Sequence, residues 1–444
     1  MKTFHIQTLG CKVNQYESQQ MFQWLCRHGF SPAADDQPAD LAVINTCCVT
    51  RIASAKSRQL IRKIQKHNPL ARIIFTGCLT AGPKEELKNL PESVILAPKD
   101  RLSEVFKQIL THQDPTESHS NNKTSNECKI KHKKDIDAID GVLNPLSAPL
   151  ASYQGQTRAF LKIQDGCDVC CSYCIIPKTR KKLDSKPLEI VLHEAKSLVD
   201  FGHPEIVLTG IHIGAWGQKS ARRRKRDKGS GTSFARLIDQ VAQIPGLLRL
   251  RISSLEPADL TDELLDVYGK HPNLAPHFHL SLQSGSDNTL RRMARQYSIE
   301  EFLEKCEKIK HCLDRPAITT DIIVGFPGET DQDFRETLEV CRIVQFAKIH
   351  VFPFSLREGT AAAEFTPRIP PDMIRNRADV LNHLDNELQE KFRRQFIGEK
   401  VNVIVENESP VYGRCERYFM VQCDDSEATA EYTKGQLIQA ILKP

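Results

Sequence analysis

The chain has 444 residues, of which 40% are hydrophobic, enough for two to four domains with real cores. Its opening, MKTFHIQTLG, lacks the apolar core of a secretory signal, and no run approaches the roughly eighteen apolar residues of a membrane span, so a soluble, cytoplasmic protein is expected. The net charge of +5 is local: Gln218–Gly231 carries seven Lys or Arg and one Asp, and the rest of the chain is close to neutral. That insert reads either as a solvated loop or as a phosphate-contacting arm.

In chain order, residues 1–110 alternate strands and helices. TFHIQTLG, DLAVINT, ARIIFTG and SVILAP are short apolar strands, and helical stretches follow at 15–28 and 53–67. This pattern predicts a parallel α/β sheet covered by helices. A cysteine follows each of the first three strands: Cys11, Cys47 and Cys78. Strand ends in such sheets share one edge, where ligands bind, so the three thiols are placed together. Cys48 is adjacent but further from the strand end.

Residues 111–152 are polar and read as a flexible linker, with Cys128 incidental. From 153 to 385 the α/β pattern returns in longer units. AFLKIQ, EIVLTG, LRLRISS, HFHLSLQ, TTDIIVGF and KIHVFPF are six strand candidates separated by helical stretches, which predicts a partial (β/α)6 barrel. Residues 386–444 hold the end of a helix and then short strands with turn signals, read as a small all-β barrel.

Fifteen cysteines in a chain of this kind do not form a disulfide framework, which belongs to short secreted domains. Cys26, Cys306, Cys312 and Cys341 stand alone and read as small buried hydrophobes. The stretch DGCDVCCSYCIIP is different. Cys167, Cys171 and Cys174 give C-x3-C-x2-C immediately after the first barrel strand. A structural zinc site wants four ligands in two close pairs, and only one close pair is present. A [4Fe–4S] cube held by three thiolates would leave one iron open to a small molecule.

C-x3-C-x2-C with Tyr173 before the last cysteine resembles the signature of radical S-adenosylmethionine (SAM) enzymes. TLGCKVNQYES, NTCCVT, TGC, FLKIQDGC, EIVLTGIHIGAWG, RISSLEP, HLSLQSGSDNTLRRM and TTDIIVGFPGET extend the resemblance over nearly the whole chain to the methylthiotransferase family. That family implies a flavodoxin-like N-terminal domain, a radical SAM TIM-like barrel and a C-terminal TRAM domain. It implies two [4Fe–4S] clusters, one on Cys11, Cys47 and Cys78 and a SAM-binding one on Cys167, Cys171 and Cys174, with Cys170 a bystander. GCKVNQYES and TGIHIGAWG are most similar to the branch acting on N6-threonylcarbamoyladenosine at tRNA position 37. The alternatives are the isopentenyladenosine branch, the branch that modifies a ribosomal protein, and a non-catalytic iron–sulfur or zinc RNA-binding protein.

Carbon 2 of adenine is an unactivated C–H position, and the resemblance implies that it is opened by radical chemistry, with SAM as both methyl donor and radical source. Strand-end candidates for SAM contact are Thr209, Gly210, Ser254, Glu256, Gln283, Ser284, Gly325 and Glu329; ordinary turn chemistry accounts for any one of them equally well. Candidates for RNA contact are Arg222, Arg223 and Arg224 of the basic insert, Arg393 and Arg394 of the last helix, and Arg414 and Arg417 of the tail, beside Tyr412, Tyr418 and Phe419. The tail is more acidic than basic, so contact requires a local basic side. The implied partners are a tRNA anticodon stem-loop and an electron donor such as flavodoxin or ferredoxin; a monomer is expected. The sequence departs from the branch pattern at Lys178, Lys181, Leu356 and Glu358, which bears on substrate detail and removes no cluster ligand.

Overall fold

A computed structural model describes residues 2–34, 37–82, 90–111, 145–223, 233–423 and 432–443, together with 85, 87 and 88. Most of the expected linker with Cys128, and the insert from Arg224 onward, lie outside the described residues. The chain divides into two units, 1–154 and 155–444.

In the first unit, β1 (Lys2–Thr8), α1 (Lys12–Arg27), β2 (Phe30–Pro32), β3 (Leu41–Thr46), α2 (Arg51–His67), β4 (Arg72–Gly77), β5 (Val94–Leu96) and α3 (Leu102–Thr111) follow in turn. The five strands pair in parallel in the order β2-β1-β3-β4-β5, the flavodoxin-like order. β3 is buried along its whole length, which is why it reads as an unbroken apolar run. Phe4, Trp24, Val43, Ile74 and Phe106 form the core, and Trp24 meets Phe106 edge-to-face at 5.0 Å. Burying each such side chain contributes about 1.5–3 kcal/mol.

Residues 145–154 belong to this unit although the expected linker ran to 152. Gln20 and Gln23 donate to the carbonyls of Ala148 and Pro149, and Gln19 and Gln23 accept from the N–H groups of Gln154 and Ala151. A polar segment is thereby docked along α1 by side-chain amides.

The second unit opens with β6 (Arg158–Asp165), α4 (Ile176–Thr179), β7 (Asp184–Ser185), α5 (Leu188–Phe201), β8 (Glu205–Gly210), α6 (Phe234–Ala242), β9 (Arg249–Ile252) and β10 (Ser254–Leu255). It continues with α7 (Asp262–Lys270), β11 (His277–Leu280), α8 (Asp287–Arg292), α9 (Ile299–Cys312), β12 (Ala317–Val324), α10 (Asp331–Val344), β13 (Lys348–Pro353) and α11 (Pro371–Arg394). β6, β8 and β9 pair in parallel, as do β10, β11, β12 and β13. β9 and β10 are one strand interrupted at Ser253, so six parallel strands follow one another, as predicted for a partial barrel. Ser233, Thr261, Ser298 and Thr330 start α6, α7, α9 and α10 by accepting from backbone N–H groups three residues on.

The tail forms β14 (Lys400–Glu408), β15 (Val411–Cys415), β16 (Met420–Gln422) and β17 (Leu437–Ile441), antiparallel in the order β16-β15-β14-β17. Its apolar face packs on Phe392 and Phe396, and Ala317 at the start of β12 joins the same cluster. Arg249 and Arg251 of β9 are held by buried Glu205 and donate to the carbonyls of Asn402, Arg414, Cys415 and Glu416. The C-terminal sheet therefore covers the N-terminal ends of the barrel strands and leaves their C-terminal ends to the cysteine loop. Among the described residues, no helix is long and apolar enough to cross a membrane.

Candidate active site

The cysteine loop leaves β6 through Gly166, whose φ of +72° lies in the left-handed region. A Cβ there would stand 1.8 Å from the Lys182 carbonyl oxygen, so only glycine fits. Both carboxylate oxygens of Asp165 accept from Arg180 Nη1, at 2.7 and 2.8 Å, and Oδ1 also accepts from Gly166 N–H. Further along, the Asp168 carboxylate accepts from Ser220 Oγ and Ala221 N–H, and Ser172 bonds the carbonyls of Arg292 and, through its N–H, Met293. The loop is thus fixed at four points before any cofactor is considered.

Within it, Cys167, Cys171 and Cys174 are partly or largely enclosed, whereas Cys170 is exposed. Burial pushes the thiols of Cys167 and Cys174 up to about 12 and raises Cys171 as well. These thiols stay protonated until something that prefers thiolate takes the proton's place. Two cationic or polarisable side chains reach them. Arg295 Nη1 donates to Cys171 Sγ at 3.4 Å, and His212 Nδ1 lies 3.8 Å from Cys167 Sγ. Arg295 is buried and is also paired with Glu256; although burial works against its charge, that carboxylate holds its pKa well above the usual guanidinium range. His212 sits in the left-handed region (φ +52°) with Nε2 3.7 Å from Asp259.

Around the thiols, Val169, Ala215, Ala221 and Leu183 form one apolar wall, and Met293, Phe326, Phe354 and Phe365 enclose Tyr173 in another. Three thiols on one pinned loop, with apolar walls and an adjacent guanidinium, fit a three-thiolate iron–sulfur cluster. Arg295 and His212 were missed in the sequence, although LRRMARQYS and TGIHIGAWG contain them. Their chemistry depends on a meeting of distant strand ends that spacing does not encode.

The other sequence candidates divide. Glu256 is brought to the cysteine loop through Arg295. Thr209 is buried at the end of β8; a Cβ on Gly210 would meet the Gln164 carbonyl oxygen at 2.7 Å, so Gly210 serves close strand packing. Ser254 is exposed, and Gln283 has φ +66° with its N–H bonded to Asp321 O. Ser284 is fully buried beside Thr337 of α10. Glu329 is buried, and its Oε2 accepts from both Gly325 N–H and Arg377, so Gly325 and Glu329 close a loop against α11.

Arg222 donates to Asp168 O and to Cys170 Sγ, and Arg223 pairs with Glu301. Arg394 pairs with Glu390. Arg393, Arg414 and Arg417 are brought together with Tyr418 and Phe419 on one cavity of about 550 Å³. Arg414 is tied there to Tyr418 O and Glu406, and Arg417 to Glu416 and Asp314.

In the first unit the three cysteines also converge. The sulfurs of Cys11 and Cys78 each lie 3.9 Å from Asn14 Oδ1. Asn14 is buried, and its Nδ2 donates to the carbonyls of Leu9 and Thr46, joining the ends of β1 and β3. Cys47 packs on Gly10, where a Cβ would come within 2.7 Å of Cys47 Cβ and 3.3 Å of its sulfur. Strand topology anticipated the three thiols but not Asn14, which faces the sulfurs of Cys11 and Cys78.

A six-unit β/α barrel with C-x3-C-x2-C after its first strand defines a radical SAM enzyme, and residues 161–341 match the Radical SAM superfamily. Residues 3–97 match the uncharacterized protein family UPF0004. The threonylcarbamoyladenosine tRNA methylthiotransferase MtaB of Thermotoga maritima is 36% identical over 91% of this chain and 87% of its own length. That of Bacillus subtilis is 33% identical over 99% and 97%. The tRNA-2-methylthio-N(6)-dimethylallyladenosine synthase of Nitratidesulfovibrio vulgaris is 32% identical over 92% and 87%. The chain belongs to the radical SAM tRNA methylthiotransferase family and uses SAM and a [4Fe–4S] cluster. Among solved structures, the radical SAM methyltransferase TsrM of Kitasatospora setae, with tryptophan and a SAM analog bound, shares the fold; its TM-score is 0.53 at 14% identity, over 82% of this chain and 75% of that one.

Proposed function

We propose that this enzyme adds a methylthio group to carbon 2 of N6-threonylcarbamoyladenosine at tRNA position 37, in the anticodon stem-loop. The observation that carries this reading is the set of relatives named for that substrate, 32–38% identical over 91–99% of the chain, with relatives named for dimethylallyladenosine following at 31–32%. The GCKVNQYES and TGIHIGAWG motifs support the same branch.

In this reading Cys167, Cys171 and Cys174 hold the SAM-binding cluster, and Cys11, Cys47 and Cys78 hold a second one. When bound, these groups and SAM would supply the methyl group and the radical reactivity that carbon 2 requires. The chain's own residues hold and shield them. Arg295 supports the thiolate form of Cys171, the apolar walls around Tyr173 and Val169 keep water away, and Asn14 sets the spacing of Cys11 and Cys78. Thr209, Ser254, Glu256 and Gln283 stand at barrel strand ends where SAM would lie. Ser284, Gly325 and Glu329 act one step removed, by fixing the strand-end loops. RNA is held by Arg222, Arg223 and Arg224 of the basic insert and by Arg393 and Arg394, with Arg414 and Arg417 shaping the cavity wall. An electron donor of the flavodoxin or ferredoxin type reduces the enzyme in the cytoplasm.

Mass spectrometry of tRNA nucleosides from cells with and without the gene tests the branch. The methylthiolated threonylcarbamoyl nucleoside should vanish and its precursor accumulate. Loss of the methylthiolated isopentenyl nucleoside instead would move the enzyme to the other tRNA branch.

A further inference from the structure

We propose that His279, Asp321 and His350 form a divalent transition-metal site inside the barrel, separate from both cysteine groups. The three residues lie on adjacent parallel strands, β11, β12 and β13, and Asp321 and His350 are direct cross-strand partners. One ligand atom from each falls within 4.8 Å of the other two.

The geometry is that of ligands already oriented. His279 Nδ1 is bonded to Thr319 Oγ1 at 3.0 Å, which turns Nε2 toward Asp321 Oδ2 at 3.3 Å. A carrier on the far nitrogen is what fixes the tautomer of a metal-binding histidine. With metal–nitrogen and metal–oxygen bonds of roughly 2.0–2.2 Å, tetrahedral ligand atoms stand about 3.3–3.5 Å apart, so the His279–Asp321 spacing needs no adjustment. His350 completes the set with its ring centroid 5.7 Å from that of His279, and a side-chain rotation of roughly 1.5 Å closes the widest gap.

Two imidazoles and one carboxylate select a borderline ion such as Zn²⁺ or Fe²⁺ over Mg²⁺ or Ca²⁺. His350 also lines the cavity that holds Lys348, Arg393, Arg414 and Arg417. A fourth coordination position is thus reachable from outside the barrel. One carboxylate against a dication leaves net positive charge there, beside further cations, so the open position favours an anionic oxygen ligand.

The test uses the full chain with its clusters reconstituted anaerobically, dialysed against Zn²⁺ and assayed for zinc, iron and sulfide. Wild type should retain about one zinc more than His350→Ala and His279→Ala, with iron and sulfide equal in all three. Zinc-edge X-ray absorption on the wild-type protein should show nitrogen and oxygen neighbours without sulfur, a readout that does not depend on variant folding. Equal zinc in wild type and variants, or a sulfur-dominated zinc environment, would reduce the cluster to a His279–Asp321 ion pair and overturn the site. Neither outcome depends on which tRNA nucleoside is the substrate.

Discussion

Arg295 Nη1 stands 3.4 Å from Cys171 Sγ while its other terminal nitrogen is paired with Glu256. With Cys171 as a cluster ligand, as proposed, this buried guanidinium stabilises the more negative, reduced state. Arg295→Ala should therefore lower the midpoint potential of the barrel cluster, by on the order of 60 mV for each 1.4 kcal/mol of lost charge stabilisation in a one-electron couple. Arg295→Lys, which keeps the charge and loses the fork, should restore part of the shift. Redox titration followed by electron paramagnetic resonance reads this directly, and an unchanged potential would assign Arg295 to packing alone.

Asn14 links the ends of β1 and β3 through two carbonyls and faces the sulfurs of Cys11 and Cys78. Asn14→Leu leaves the buried Thr46 carbonyl short of a donor, at about 1–3 kcal/mol, and the half-buried Leu9 carbonyl with it at a smaller cost. Urea unfolding should show that loss. On the proposed two-cluster reading only the N-terminal cluster is affected, so bound iron should fall by about half after reconstitution, whereas full iron retention would remove Asn14 from the site.

The two glycines Gly166 and Gly202 provide a contrast. Both have positive φ, but a Cβ at Gly166 collides with Lys182 O while one at Gly202 meets nothing within 4 Å. Gly202→Ala should cost about 1–2 kcal/mol, the left-handed penalty alone. Gly166→Ala should cost more and abolish iron binding by the barrel loop, as judged by thermal unfolding and iron assay.

Cys167 and Cys174 in the cluster-free protein carry thiols raised to about 12 by burial. At pH 8 their thiolate fraction is on the order of 1 in 10⁴, so alkylation by iodoacetamide should be slow and should speed up tenfold per pH unit through pH 10. Exposed Cys170 should react first in mass-spectrometric footprinting. The linkage has a definite sign. Above pH 9 the unfolded chain has released protons that the folded thiols still hold, so the stability of the cluster-free protein falls as pH rises from about 9 toward 12. Chemical unfolding across that range should show the decline.

The strands were legible because burial on both faces leaves apolar runs such as LAVINT and TTDIIV. β2 was not, since three residues ending in Pro32 carry no pattern. Cys11, Cys47 and Cys78 could be grouped because strand ends of a parallel sheet share an edge, and Cys167, Cys171 and Cys174 because their spacing places them in one loop. What holds them could not: Asn14, His212 and Arg295 act through contacts between segments far apart in the chain. The tail arginines mislead in a different way. Arg414 and Arg417 look available for phosphate in the sequence, yet each is drawn to carboxylates and carbonyls within the unit. Tyr418, a candidate base-stacking residue, instead stacks on His277 at 4.5 Å at the floor of the barrel. Residues 145–152 read as linker because their anchoring comes from glutamines on α1, not from any apolar signal of their own.

The measurement closest to the central claim is turnover by the reconstituted enzyme on an anticodon stem-loop bearing N6-threonylcarbamoyladenosine, with SAM and a reductant, using wild type, Cys171→Ala and Cys47→Ala. The wild type should form the methylthio nucleoside. Cys171→Ala should lose SAM cleavage altogether, while Cys47→Ala should still cleave SAM and yield no methylthio product. Product from Cys47→Ala, or an unaltered nucleoside with the wild type, would contradict the assignment of two cysteine groups to one methylthiolation.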